Sequence, residues 1–385
     1  MKVIVTDAAL RTGLFTIRSL GRKGISVTAV EKKSPFALNL GFHSRYATNK
    51  ITIHDVIHEE DYFLNDLLKL LNKHEVLFPI SLYSIETIAS NIKKFEKNIK
   101  LIPLAPYETI KSLNINTSLL EICKDLNIPF PKTYLPDSLH MVRSIAKKVQ
   151  YPVYIKVQQE ADLSPSQRNE IALGPDELVK KYKNLHKIQP YPLIQEKIEG
   201  SGCGYFTIYN QGESRITFCH KRIREYPTKG GPSSCCVSWY DKKLVEYGRR
   251  LLDAVNWNGL AMIEFKYDLR DGLPKVMEVN PRMWGSTPLA TICGIDFPYC
   301  LYKIAVEADI NPQHNYPVGV KMRFFYEDLA ASVSYFIKGG ANRTLFYCFL
   351  KDLFDFRIRD GIFQLDDLKP AWSNTLKAFT RAMGN

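Results

Sequence analysis

The chain has 385 residues, 45% of them hydrophobic and 24% charged, with a formal net charge of +12. That length predicts two or three compact units of ordinary globular composition, and no apolar run is long enough to cross a bilayer. Lysines are spread along the whole chain and no nucleic-acid module is visible, so the charge reads as that of a basic protein with no nucleic-acid partner.

Met-Lys-Val-Ile-Val-Thr-Asp7 reads as a strand interrupted by charge, not a signal peptide, and a cytoplasmic location is expected. Residues 2–6 and 26–30 are strands around a helix that ends near Gly21 and Gly24, the start of a doubly wound sheet. Asp7-Ala-Ala-Leu-Arg-Thr-Gly13 has one glycine where a dinucleotide fingerprint needs three, which excludes NAD binding. A helix over about 58–73 follows from Phe63, Leu64, Leu67, Leu68 and Leu71. Val76–Ile80 and 100–103 are further strands, with a helix over 84–98 between them.

Around 106–116 the pattern becomes a helical connector, and a helix over 117–127 is stopped by Ile128-Pro-Phe-Pro131. Tyr151-Pro-Val-Tyr-Ile-Lys-Val157 is a strand on which Lys156 faces the same way as Tyr154. The polar segment 158–169 contains no glycine and includes Ser164, Ser166 and Arg168. Tyr191–Gly200 is another strand, and 242–255 a helix with Leu244, Leu251 and Leu252 on its apolar face.

Between these last two lies His220-Lys-Arg-Ile-Arg-Glu-Tyr-Pro-Thr-Lys-Gly-Gly-Pro-Ser-Ser234. Lys221, Arg222, Arg224 and Lys229 crowd beside two glycines and two serines, a composition suited to a phosphate or carboxylate. Arg222 and Arg224 are two apart on a predicted strand, so they are expected to face one way and grip one anion, with Ser233 or Ser234 adding a hydrogen bond.

The chemistry concentrates further along. Gly259–Asp268 and Pro274–Ser286 read as two strands joined by an Asp271-Gly272 turn. Alternation puts Glu278 and Asn280 on one face, opposite Met277 and Val279, and Glu264 with Met262 and Lys266. Pairing of the strands then sets Glu264 beside Glu278. Two carboxylates and an amide oxygen suit Mg²⁺, which leaves its other positions to phosphate and water. Arg282, just beyond, offers a planar fork for phosphate charge. Helices follow over 288–293 and 298–307, and an aromatic tail from 320 is expected to pack on the catalytic core. The eight cysteines lack C-x-x-C spacing and are expected to be reduced, mostly buried thiols.

The set Glu264, Glu278-x-Asn280-Pro-Arg282 resembles the metal-binding hairpin of the ATP-grasp superfamily, and Trp284-Gly-Ser286 a branch of it related to carbamoyl phosphate synthase. Asn127-Ile-Pro-Phe-Pro-Lys-Thr133 resembles the opening of the first ATP-grasp subdomain, and His220–Ser234 a segment of uncharacterised carboxylate–amine ligases. The resemblance covers about residues 1–310. It implies an α/β fold: a Rossmann-like domain (1–110), two ATP-grasp subdomains (111–190 and 191–310) and a helical, aromatic C-terminal extension (311–385). It also implies Lys156, Arg222 and Ser233 on phosphates and the Glu196-Lys197-Ile198 segment around adenine, walled by Leu193 and Ile198. Glu199 stands in for a missing ribose-binding acid. Lys156, Arg224 and Arg282 are the implied catalytic cations, and Glu264, Glu278 and Asn280 the metal ligands. The expected cofactors are ATP and Mg²⁺, and the expected activity is ADP-forming ligation of a small carboxylate to an amine; a homodimer is compatible with the family. Two other classes compete, a nucleotide sensor without turnover and a basic RNA- or membrane-surface binder. The glycine-free segment after Lys156 departs from the family's usual phosphate-covering flap and favours the sensor.

Overall fold

The computed structural model describes residues 2–33, 39–71, 75–95, 100–159, 163–228 and 230–375. Strands β1 (Lys2–Val5), β2 (Ser26–Lys32), β3 (Ala47–Ile53), β4 (Val76–Phe78) and β5 (Lys100–Leu101) form a parallel sheet in the order β3-β2-β1-β4-β5. Alternation along β1 sorts its faces. Val3 and Val5 pack with Leu14, Ile17 and Leu20 of the helix Arg11–Arg22, whereas Ile4 packs with Phe63, Leu64 and Leu67 of the helix Glu60–Leu70. Sequence reading did not find β3. It is an edge strand whose middle residues are exposed, so its polar side chains carry no apolar signal. The expected helix over 84–98 is observed as Leu82–Ser90, capped by the Ser81 hydroxyl, followed by a short turn Ile92–Phe95. Residues 96–99 lie outside the described residues.

A second, antiparallel sheet contains β6 (Thr133–Tyr134), β7 (Val153–Lys156), β8 (Asn169–Ala172) and β9 (Leu193–Glu196), in the order β6-β9-β7-β8. Helices Leu139–Ala146 and Pro175–Ile188 cover it through Val142, Ile145, Leu178, Tyr182 and Leu185. The third sheet has seven strands: β10 (Gly202–Asn210), β11 (Glu213–Glu225), β12 (Ser233–Ser238), β13 (Gly259–Tyr267), β14 (Pro274–Asn280), β15 (Lys321–Arg323) and β16 (Arg359–Asp360). Their order is β14-β13-β10-β11-β12-β15-β16.

The third sheet lies between two cores, and its strand alternation decides the site. Ala261, Ile263 and Phe265 of β13 point to one core with Leu244, Leu251 and Leu252 of the helix Lys242–Ala254. Leu260 and Met262 point to the other, with Phe206, Phe218 and Trp284. Continuing along this second face, apolar side chains give way to Glu264 and Lys266 on β13, and to His220 and Arg222 on β11.

The expected helical tail also supplies two strands, β15 and β16, that extend this sheet past β12. Its helices Phe325–Lys338 and Arg343–Asp352 pack together. Arg18 of the first helix holds the tail down: its buried guanidinium donates to the Asp367 carboxylate at 2.9 Å and to the Ile362 carbonyl at 2.9 Å. Seven of the eight free cysteines are buried and Cys348 is exposed. Among the described residues no helix is long and apolar enough to cross a membrane.

Candidate active site

Glu264 and Glu278 are direct cross-strand partners, and Met262 pairs with Asn280. The register slips between Glu264 and Phe265, so Val276 and Val279 both reach the apolar core although they are three apart. Met277 therefore does not share the buried face with Val279 as strict alternation predicts; it is only half-buried, and the bulge is the cause. Glu278 remains exposed and its Oε1 accepts a 2.7 Å hydrogen bond from the Asn280 amide. Glu264 accepts a 2.6 Å charged hydrogen bond from Arg222 Nη2. Burial raises the Glu264 pKa, and the neighbouring Glu278 charge adds to the rise, outweighing Arg222. Burial pulls the Arg222 guanidinium down, but Glu264, Glu225 and Glu278 leave it above its ordinary value. Gly202 leaves room for the Arg222 stem, because a Cβ there would stand 2.9 Å from Arg222 Cδ.

These groups line a pocket of about 300 Å³ with His220, Ser233, Arg282, Ser286 and Arg11. His220 is buried, with Nδ1 3.0 Å from the Ser286 hydroxyl, and burial pushes its pKa down to about 3. Among the described residues its Nε2 and the Trp284 Nε1, both buried, find no hydrogen-bond partner. The pocket adjoins a larger cleft of about 620 Å³ between the second and third sheets. The two share Gly230, and along one face of β13 Lys266 lines the cleft where Glu264 lines the pocket. Gly231 permits the turn between them, since a Cβ would stand 2.3 Å from the Tyr226 carbonyl oxygen.

The cleft collects Lys197, Ile198 and Glu199 with Tyr154, Lys181, Lys266 and Lys338. Ile198 lines it, whereas Leu193 is fully buried elsewhere. Lys197 Nζ lies 3.7 Å from the Glu199 carboxylate, which is mostly exposed. The Glu196 side chain is committed to structure: it accepts from the Lys132 N–H and from Arg270 Nη2, both at 2.7 Å. Lys156 Nζ sits 5.6 Å from the Tyr154 ring centre, and Tyr154 rather than Lys156 lines the cleft.

The basic segment is dispersed by the fold. Arg222 pairs with Cys236 and Arg224 with Cys235, so a bulge at Ile223 breaks the two-residue period. Arg222 and Arg224 therefore do not grip one anion. Arg224 is fully buried, donating to Asp328 at 2.7 and 2.8 Å and to Asp352 at 2.8 Å. Lys221 stands over the Trp239 ring at 5.5 Å, and Ser234 donates to Asp328 at 3.2 Å. Lys229 lies outside the described residues. Sequence reasoning assigned no role to His220 or Ser286, although it quoted the segments containing them. Arg11 and Lys338 come from distant segments with no local motif.

Among the described residues no group of three or more His, Cys, Asp or Glu side chains is placed to hold a metal. The donors available to a cation here are two carboxylates and one amide oxygen, a set that fits Mg²⁺ shared with phosphates. Glu264 and Glu278 oppose each other on a partly buried face, and the Arg222 guanidinium already offsets part of that repulsion at Glu264.

Residues 219–324 match the family model described as "ATP-grasp in the biosynthetic pathway with Ter operon". The chain is 22% identical over 302 residues to the carbamoyl phosphate synthase large chain of Clostridium acetobutylicum, covering 77% of this chain and 26% of that one. It is 23% identical over 217 residues to the D-aspartate ligase of Enterococcus faecium, covering 50% of each. The chain thus spans between a quarter and a half of these curated relatives. Among solved structures, a biotin carboxylase–β-γ-ATP complex from Campylobacter jejuni matches at TM-score 0.65 and 16% identity, covering 83% of this chain and 74% of that one. N5-carboxyaminoimidazole synthetase of Staphylococcus aureus with ADP matches at TM-score 0.63 and 13% identity, covering 83% and 80%.

Proposed function

We infer that this chain, an ATP-grasp protein, is an ATP-dependent carboxylate–amine ligase. The observation that carries the reading is the direct pairing of Glu264 with Glu278, beside Arg222 and Arg282, where the 620 Å³ cleft meets the 300 Å³ pocket. The organisation that goes with it is a Rossmann-like domain (1–110), ATP-grasp subdomains (111–190 and 191–310) and an extension (311–385). A cytoplasmic location and a homodimer belong to the same reading.

ATP occupies the larger cleft, with adenine against Ile198 and the backbone of Lys197, and its ribose near Glu199. The triphosphate runs toward Lys266 and Lys338, which line the cleft, with Lys156 two residues beyond the cleft-lining Tyr154 on the same face of β7 as the third cation. Glu264, Glu278 and Asn280 would hold Mg²⁺, which neutralises phosphate charge when bound. Arg222, Ser233, Arg282 and Arg11 line the smaller pocket, where the substrate carboxylate lies. The γ-phosphoryl group moves to a carboxylate oxygen, giving an acyl phosphate and ADP. The amine lone pair then attacks the acyl carbon, the bond from that carbon to the phosphate oxygen breaks, and phosphate leaves with the electron pair. The nitrogen's surplus proton goes to the departing phosphate. No covalent nucleophile is needed, so positioning and charge stabilisation carry the rate.

The test is a screen of carboxylic acids with ATP, Mg²⁺ and hydroxylamine, which traps an acyl phosphate as a hydroxamate. Acid-dependent hydroxamate and ADP, both missing in Glu278→Gln, are expected. A protein that binds ATP yet yields neither product with any acid is a nucleotide sensor instead.

A further inference from the structure

We propose that the C-terminal extension carries a site for an α-amino acid with an apolar or aromatic side chain, the amine substrate of the ligase. The identity of the occupant as substrate rests on the ligase reading; the site itself rests on a separate cavity. This cavity, of about 400 Å³, is walled by Phe325, Tyr326, Ile362, Phe363 and Trp372. Its volume lies within the range that holds a small ligand. The aromatic wall is open to solvent at two of its rings, Phe363 being 56% and Trp372 71% exposed.

Charge decides what the cavity accepts. Its wall carries Glu327, Asp360 and Arg323. Asp360 is already committed, accepting from the N–H groups of Phe325, Ile362 and Phe363. Glu327 is half-buried and its one charged partner among the described residues is Arg11, at 3.2 Å. It is therefore the carboxylate that can meet an ammonium, with the aromatic faces adding cation–π attraction. Arg323 stacks over Phe325 at 5.5 Å and offers a guanidinium to the ligand carboxylate. An α-amino acid matches both charges, and its apolar side chain matches the ring wall.

Position connects this cavity to the reaction. Phe324 lines both the 400 Å³ cavity and the 300 Å³ pocket. Arg11 lines the pocket, stacks on Phe324 at 4.6 Å and pairs with Glu327 on the cavity side. The Arg11–Glu327 pair and the Phe324 ring thus form a shared wall, with arginines on the acid side and a carboxylate among aromatic rings on the other. An amino group at Glu327 sits against that wall, and its attack on the acyl carbon requires the Arg11–Glu327 pair to part.

Calorimetric titration with L-phenylalanine tests the site without requiring turnover. Saturable binding is expected, weakened at least about tenfold for serine, which lacks the apolar group, and for 3-phenyllactate, which lacks the ammonium. Half-buried Asn374 also lines the cavity, and Asn374→Trp, which fills it, should abolish binding while leaving ATP affinity unchanged. Trp372→Ala, a change at an exposed position, should weaken it if the first variant does not fold. No saturable binding, equal binding of phenyllactate, or undiminished binding in the folded variants would overturn the site. Hydroxamate formation reads the ligase separately. Hydroxamate without phenylalanine binding sinks this inference alone, whereas phenylalanine binding without hydroxamate leaves the site and sinks the ligase reading.

Discussion

Removing Arg224 should cost the protein its fold before it costs any single catalytic step. Its guanidinium makes three charged hydrogen bonds of 2.7–2.8 Å, two to Asp328 and one to Asp352, and the Arg224 and Asp328 side chains are wholly inaccessible. Arg224→Ala leaves both carboxylates in a low-dielectric interior, and breaking such a pair costs about 3–5 kcal/mol. Partial compensation remains: Asp352 keeps Lys321 at 2.9 Å, and Asp328 keeps the Ser234 hydroxyl at 3.2 Å. The loss should therefore fall near the lower end, about 3 kcal/mol. Replacing Arg224 and Asp328 together by leucine should recover part of it, because no unpaired charge is then left at that position. Urea unfolding followed by circular dichroism measures the stability, and ATP titration at low temperature measures what function survives in the folded fraction. Wild-type stability combined with a selective loss of acid-dependent turnover would refute this reasoning and return Arg224 to the substrate.

Lys156→Met should weaken ATP by one to two decades and AMP much less, since a charge-assisted contact is worth about 1.5–3 kcal/mol; equal losses in calorimetric titrations would mean that Lys156 is structural. The buried His220 gives an acid sensitivity whose sign is fixed. Its folded pKa of about 3 lies below the ordinary 6.5, so the unfolded chain binds the extra proton between these values, and stability falls as pH drops through 6.5. At pH 5 the loss relative to pH 7.5 is about 2 kcal/mol from this group, and His220→Gln should lose that part of the pH dependence in urea unfolding. A wild-type slope retained by His220→Gln would exclude the histidine as its source.

The pairing of the two carboxylates was legible because an Asp271-Gly272 turn and a two-residue period define register locally, and the observed Glu264–Glu278 register follows from them. The same rule failed at Arg224, where one unpaired residue, Ile223, turns the next side chain into the core. A bulge leaves no mark in residue type, so period counting cannot see it. Arg11 and Lys338 were invisible for another reason. Each reaches the site from a unit far along the chain, and the packing that brings them there depends on contacts such as Arg18–Asp367. The tail's aromatic residues stand out in the sequence, yet their division between core and cavity wall follows only from how β15 and β16 join the third sheet.

On the ligase reading, Glu264 and Glu278 together organise the charge of bound ATP. Calorimetric titration of ATP into the wild-type protein and into Glu278→Gln, each with Mg²⁺ and with EDTA, addresses it without knowledge of the acid substrate. Mg²⁺ should tighten ATP in the wild type by about tenfold or more, from one or two charge-assisted contacts, and that gain should vanish in a Glu278→Gln protein of unchanged unfolding midpoint. An equal Mg²⁺-dependent gain in both proteins would contradict the assignment of this hairpin as the metal–phosphate site.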